Sequence, residues 1–299
     1  MSTVKRSPLP EWLKISLPSG ETYQKVKQQM DDGVLHTVCA EARCPNIAEC
    51  WGGGTATFMI LGDTCTRGCR FCSVSTALKP APPDPAEPAR LGESLAKLDL
   101  TYTVITTVCR DDLADQGAGH VAACVRAIRA KAPKLLVEFL IQDFRGDKDC
   151  LRTIIQARPD VLAHNLETVE RLTHPVRDAK AGYQQSLDVL KFIKDTNPEL
   201  YTKSSLMVGL GETEEEIREA MQDLRAARCD ILTIGQYLRP TTESRHLPVS
   251  KFVHPDVFKR YETMARELGF LYVASGPMVR SSYRAGELFM EGLLREKKK

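Results

Sequence analysis

The chain lacks any apolar run near the roughly 18 residues a membrane helix needs. Its opening, MSTVKRSPLPEW, holds neither the apolar core of a secretory signal nor an Arg-rich leader pattern. A cytoplasmic protein with no membrane association is therefore expected. A surplus of charge is also missing: 41 basic residues face 39 acidic ones, a formal charge of +2. So balanced a chain has no broad field for holding nucleic acid, and none is expected as a partner. There is no internal repeat, and the terminal REKKK reads as a solvated end. Residues 79–88, KPAPPDPAEP, hold five prolines in ten positions. They cannot continue a helix or a central strand and read as a stiff connector.

Cysteine, by contrast, is concentrated. Six of the ten cysteines fall within 34 positions and in two threes: Cys39, Cys44 and Cys50, spaced CxxxxCxxxxxC, and Cys65, Cys69 and Cys72, spaced CxxxCxxC. Three thiolates on one short loop can hold three irons of a [4Fe-4S] cube and leave the fourth open for an outside ligand. Disulfides suit a reducing compartment poorly. Zinc prefers four closed ligands in paired knuckles. A ferredoxin-type carrier needs a fourth cysteine in the run, and none follows Cys72 before Cys109. The open-site cluster leads these alternatives, and two incomplete sets suggest two clusters. Cys124 and Cys229 lie on helical patterns with apolar neighbours and read as core thiols, and Cys150, at another helix start, reads as structural.

At 299 residues, 42% hydrophobic and 27% charged, the chain can bury one large core, with a length usual for an α/β barrel. Strands are expected over residues 55–61, 102–107, 135–142, 161–165, 202–208, 231–237 and 270–275, bounded by turn-rich segments. Between them lie amphipathic stretches such as HVAACVRAIRAK, QQSLDVLKFIKD, TEEEIREAMQDLRAA and PDVFKRYETMARELG. The alternation predicts parallel βα units. Thr213 with Glu216 predicts a capping box. Residues 1 to about 50 lack a convincing strand and resemble a wrap or lid carrying the first cysteine trio. Six successive strand ends carry polar or glycine-rich material: the cysteine loop, TTVCRDDLADQG, QDFRGD, HNLET, GLGE and GQYLRP. In a parallel barrel such ends point into the site.

The CxxxCxxC loop, with Phe71 between its last two cysteines, resembles the radical S-adenosylmethionine (SAM) superfamily. ARCPNIAECW with Cys39 before it, GDTCTRGCRFCSV, RDDLADQGA, HNLETV, KSSLMVGLGE, GQYLRP and VASGPMVRSSY together resemble the lipoyl synthase family, over residues 39–283. The resemblance implies an α/β fold, a partial (βα)6 barrel over residues 55–275. Extensions at 1–54 and 276–299 would carry the auxiliary cysteines and RSSY. It implies that Cys65, Cys69 and Cys72 bind a reducing cluster whose open iron chelates SAM. One electron would then release a 5′-deoxyadenosyl radical that removes hydrogen from an unactivated carbon. It further implies that Cys39, Cys44, Cys50 and a serine of RSSY, Ser281 in preference to Ser282, hold an auxiliary [4Fe-4S] cluster consumed as the sulfur source. The product would carry two sulfurs, at C6 and C8 of an octanoyl chain on a lipoyl domain or glycine-cleavage H protein. The electrons would come from a ferredoxin- or flavodoxin-type donor, and a monomer is expected. For SAM itself the resemblance points to Phe71, Thr107, the Asp115, Gln116, Gly117 and Ala118 segment, Asn165, Glu167, Gly209 and Gly211. Lys203 and Arg239 are further polar anchors of unassigned target. Cys109 stands where many relatives carry an acidic residue, and is expected to ligate nothing.

Overall fold

The computed structural model describes residues 9–13, 24, 36–37, 46–47, 50, 57–98 and 100–282. In chain order its elements are β1 (His36–Thr37), β2 (Thr57–Ile60), β3 (Thr64–Cys65), β4 (Ser75–Thr76), α1 (Glu87–Lys97), β5 (Tyr102–Thr107), α2 (Ala118–Lys131), β6 (Leu136–Leu140) and α3 (Lys148–Gln156). They continue with β7 (Val161–Ala163), α4 (Thr173–Val176), α5 (Tyr183–Thr196), β8 (Tyr201–Val208), α6 (Glu214–Ala226), β9 (Ile231–Gln236), α7 (Pro255–Glu267) and β10 (Tyr272–Gly276). Short buried strands followed by amphipathic helices can satisfy their backbone only as a parallel sheet with crossovers. The order in the main sheet, eight strands, is β1-β2-β5-β6-β7-β8-β9-β10. Every neighbouring pair from β2 to β10 is parallel. Among the described residues the two ends of this order do not pair, so the barrel is partial.

Register decides which side chains meet. Phe58, Ile105, Phe139 and Leu162 are aligned across β2, β5, β6 and β7, and they pack with Leu91, Leu95, Val121, Val125 and Ile154 from α1, α2 and α3. The opposite face supplies a second, smaller cluster of Tyr102, Val104, Leu136, Val161, Tyr201 and Ile231 that fills the barrel floor. A polar knot is set into it. Lys203 Nζ donates to both oxygens of Glu138 at 2.9 Å, and the Tyr102 hydroxyl donates to Glu138 Oε2 at 2.6 Å. All three residues are buried.

The capping box at Thr213 and Glu216 is present. Three expectations need correction. The proline-rich connector ends sooner than expected, because Glu87 and Pro88 open α1; proline is tolerated in a first turn, where its missing N–H leaves no bond unmade. The N-terminal extension contributes a strand after all: β1 pairs antiparallel with β2, but two residues are too few to leave a periodic pattern. β7 stops at Ala163 rather than Asn165, because the chain turns there and Glu167 adopts a positive φ of 72°.

Removing one partner of the Glu138–Lys203 pair leaves a buried uncompensated charge. Lys203→Ala is expected to destabilise the protein by about 3–5 kcal/mol in urea unfolding, and the double substitution Glu138→Gln with Lys203→Met clearly less.

Candidate active site

After β2 the chain turns sharply at Leu61 and Gly62, both at positive φ. It then enters CTRGCRFC. β3 pairs in parallel with β4, and the Ala77 N–H donates to the Cys65 carbonyl at 3.1 Å, closing a loop that carries Cys69 and Cys72. Backbone donors point at the sulfurs. Cys65 Sγ accepts from the N–H of Arg67 at 3.4 Å and of Cys109 at 3.3 Å, and Cys69 Sγ accepts from the Asp178 N–H at 3.3 Å. Hydrogen bonds to sulfur favour the thiolate, the form a metal requires.

The loop is held by directional bonds. Arg67, only 4% exposed, forks onto Asp111 at 2.9 and 2.8 Å and onto Asp143 at 2.7 and 2.8 Å. These aspartates follow β5 and β6. Thr66 Oγ1 bonds Asp111 Oδ2 at 2.8 Å, and the Gly68 N–H donates to Asp178 Oδ2 at 2.8 Å. Burial alone would raise the carboxyl of Asp111, but hydrogen bonds from Arg67 and Thr66 outweigh it and hold it well below the usual range. Asp143 is lowered against its burial by the same guanidinium. Arg67 and its two carboxylates were missed in the sequence, although RDD and QDFRGD at adjacent strand ends gave a signal.

The three thiols differ. A hydrogen bond with the Cys109 side chain, opposed by burial and helped by the two N–H donors, lowers Cys65 to about 6. Burial pushes Cys69 up to about 12 and Cys72 up to about 11. The protein alone thus favours one thiolate. Three thiolates need a multivalent positive core among them, and a three-thiol set with one ionised member and two that ionise on ligation fits an iron–sulfur cluster. None of the three is in a disulfide. Cys109, expected to be a bystander, touches Cys65 through both its N–H and its side chain.

Of the residues expected at SAM, Phe71 is part of the cysteine loop itself, and Glu167 is close enough for its charge to act on two of the loop's thiols. Asn165 Nδ2 donates to Glu167 Oε1 at 3.1 Å. Burial raises the Glu167 carboxyl against the pull of Arg177, and its charge in turn raises both Cys69 and Cys72. Phe71 packs on the apolar cluster under α6 and α7. Other placements differ from expectation. Alternation along β5 puts Thr106 on the interior face with Val104, and Thr107 on the helix-covered face with Ile105. Asp115 is exposed and caps α2, its oxygens accepting from the N–H groups of Gly117 at 3.0 Å and Gly119 at 2.8 Å. Gly117 is required by its φ of 86° and by the Leu61 side chain 2.7 Å from where a Cβ would sit. Gly209 makes room for protein: a Cβ there would lie 2.1 Å from Gln236 Nε2 and 2.5 Å from the Lys251 carbonyl. Gly211, at φ 109°, has Ser250 as its nearest neighbour. Lys203 belongs to the floor knot, and Arg239 holds its own loop through the carbonyls of Thr242 and Glu243.

Cys39 and Cys44 lie outside the described residues. Cys50 is buried in the same core cluster as Phe58 and Ile60 of β2, and its N–H donates to the Asn46 carbonyl at 2.9 Å. Asn46 Nδ2 in turn donates to the Met278 carbonyl at 2.6 Å, three residues before Ser281, which is half-buried. The Val279 carbonyl lies against Gly235 of β9, 2.0 Å from where a Cβ would stand.

A partial parallel barrel with a three-thiol loop at its mouth defines a radical SAM enzyme, and the family model of the radical SAM superfamily matches residues 59–224. The fold resembles the crystal structure of Streptococcus suis SuiB bound to S-adenosylmethionine (TM-score 0.55, 11% identity, 74% of this chain). The chain spans half the length of that protein. The model for the N-terminal domain of lipoyl synthase matches residues 1–44. A lipoyl synthase of Anaeromyxobacter sp. (strain Fw109-5) is 58% identical, covering 95% of this chain and 96% of that protein. The mitochondrial lipoyl synthase of Aedes aegypti is 54% identical, covering 97% and 74%. The chain belongs to the lipoyl synthase family. No helix among the described residues is long and apolar enough to cross a membrane.

In the iron-free protein the lowered Cys65 thiol ionises at a more acidic pH than Cys69 and Cys72, which burial raises, so near pH 7 Cys65 is expected to carry the thiolate. Iodoacetamide mapped by mass spectrometry should label Cys65 first, with a rate that falls as the pH is lowered through the acidic range while Cys69 and Cys72 stay slow. Equal labelling of the three would contradict the electrostatic reading.

Proposed function

We propose that Cys65, Cys69 and Cys72 hold a [4Fe-4S] cluster that binds SAM, and that Cys39, Cys44, Cys50 and Ser281 hold a second, which donates sulfur. The reaction is insertion of two sulfur atoms at C6 and C8 of an octanoyl chain carried on a lipoyl domain or glycine-cleavage H protein. The observation that carries this reading is the Asn46–Met278 hydrogen bond of 2.6 Å, which draws the segment bearing the upstream trio onto the segment bearing RSSY. A serine oxygen binds iron less firmly than thiolate, which suits a cluster that must come apart. When bound, the first cluster and SAM supply the one-electron cleavage and hydrogen removal that no side chain can perform on a saturated carbon.

The chain's own groups position and shield. Arg67 fixes the cysteine loop, and the N–H donors of Arg67, Cys109 and Asp178 stabilise sulfur charge. Asn165 and Glu167 are the polar groups proposed for the hydroxyls and amine of SAM, and Phe71 stands within the loop between Cys69 and Cys72. Contacts from Thr107, Asp115, Gly117, Gly209 and Gly211 are then made by strand-end backbone or by the turns these residues shape. The apolar floor and the 277–282 segment close the barrel at its two ends and limit water. The division into extension, barrel and extension at 1–54, 55–275 and 276–299 follows the same logic. A ferredoxin- or flavodoxin-type donor supplies electrons to a monomeric, cytoplasmic enzyme.

The test is anaerobic reconstitution with an octanoyl-lysyl peptide. The wild type should carry about eight irons and form lipoyl product with two 5′-deoxyadenosines released. Cys44→Ala should drop to about four irons, still release 5′-deoxyadenosine and lose the product. Full product from that variant sinks the two-cluster reading.

A further inference from the structure

A second set of metal-ligand side chains lies between α1 and α2, outside the barrel and unused by the chemistry above. Glu87 opens α1. His120 and Cys124 are four apart on α2, and so share one of its faces. Their carboxylate oxygen, imidazole nitrogen and thiol sulfur all lie within 4.8 Å of one another. Glu87 and Cys124 are buried, while His120 is half-buried and gives the group an edge on solvent. Among the described residues the Cys124 thiol makes no hydrogen bond.

The set has the marks of a preformed site rather than a chance meeting. One ligand of each donor type is present, a combination that suits borderline divalent cations, zinc foremost. The charges balance: a carboxylate and a thiolate neutralise a dication, the thiol proton leaving to solvent on binding. Glu87 is oriented from behind, since the Leu61 N–H donates to its Oε2 at 2.9 Å. His120 Nε2 already stands 2.6 Å from that oxygen. Side chains this close need only small shifts to contract onto an ion at about 2.0–2.3 Å. The geometry points to a site for one zinc-type divalent cation held by Glu87, His120 and Cys124, with a water in the fourth position. It fastens α1 to α2 and to Leu61, at the end of the strand that feeds the cysteine loop. This site stands whether or not the two-cluster reading holds.

The iron-replete enzyme is incubated with one equivalent of zinc sulfate, desalted and analysed for metals and by zinc K-edge X-ray absorption. About one zinc per chain should remain beside unchanged iron, with one sulfur and three nitrogen or oxygen neighbours. His120→Gln and Cys124→Ala should each reduce retained zinc by about tenfold or more at unchanged iron content, which also reports that the variants fold. A zinc shell with three sulfurs would place the ion on cluster cysteines. Loss of zinc on desalting would leave only a hydrogen-bonded brace. Either result, or retention at the wild-type level by both variants, overturns the site.

Discussion

Two forked ion pairs from one buried guanidinium hold the candidate active site together. Arg67 sits inside the cysteine loop, while its partners Asp111 and Asp143 stand after β5 and β6. Arg145 and Lys180 also approach Asp111, at 3.0 and 3.6 Å, so the two carboxylates are not left in excess. Burying such groups costs desolvation that their attraction roughly offsets, so the network contributes little net stability. It contributes direction. A half-exposed loop bearing thiols has little apolar surface with which to pack, and four short hydrogen bonds set its position where packing cannot.

The barrel serves the loop by separating its faces. On one face, register aligns Phe58, Ile105 and Phe139 under the helices. On the other, it leaves an apolar floor with one satisfied polar knot and, above it, the mouth. That mouth is roofed from the far end of the chain: the Val279 carbonyl presses on Gly235, and Arg280 Nη1 reaches the Gln236 carbonyl at 3.3 Å. Glycine on the interior face of β9 is therefore a steric requirement of the roof. The floor excludes water by packing, and the roof by close backbone approach.

The sequence carried the cysteine spacing, the polar strand ends and the Thr213–Glu216 box, because each is a local pattern whose meaning depends on neighbours a few residues away. What it hid was pairing between distant segments. Lys203 looks like a ligand anchor until β8 is set two strands from β6 and Glu138 faces it. Asp115 looks like an amine acceptor until the turn at Gly117 brings two N–H groups onto it. Gly209 looks like space for a ligand until Gln236 fills that space. Thr106 and Thr107 differ only by the face each takes, which is fixed by register with β2 and β6.

The same contrast separates the two cysteine trios. The CxxxCxxC set lies within one loop, whose geometry is set by β3, β4, the Arg67 forks and the contacts from Cys109 and Asp178. Near the upstream set, Asn46 is tied to Met278 by a hydrogen bond between residues 232 positions apart. Closing so long a loop in an unfolded chain would be entropically costly for one bond. In the folded protein the barrel has already brought both segments to the same place, so the bond forms at little further cost. A ligand set assembled across that clasp would depend on both ends of the barrel, whereas the loop-borne set depends on its own turn and on braces from Asp111 and Asp143 at the neighbouring strand ends and from Asp178. The sacrificial role proposed for the second set therefore falls on the arrangement that spans both ends of the barrel, and the permanent role on the one whose three thiols share a single braced loop.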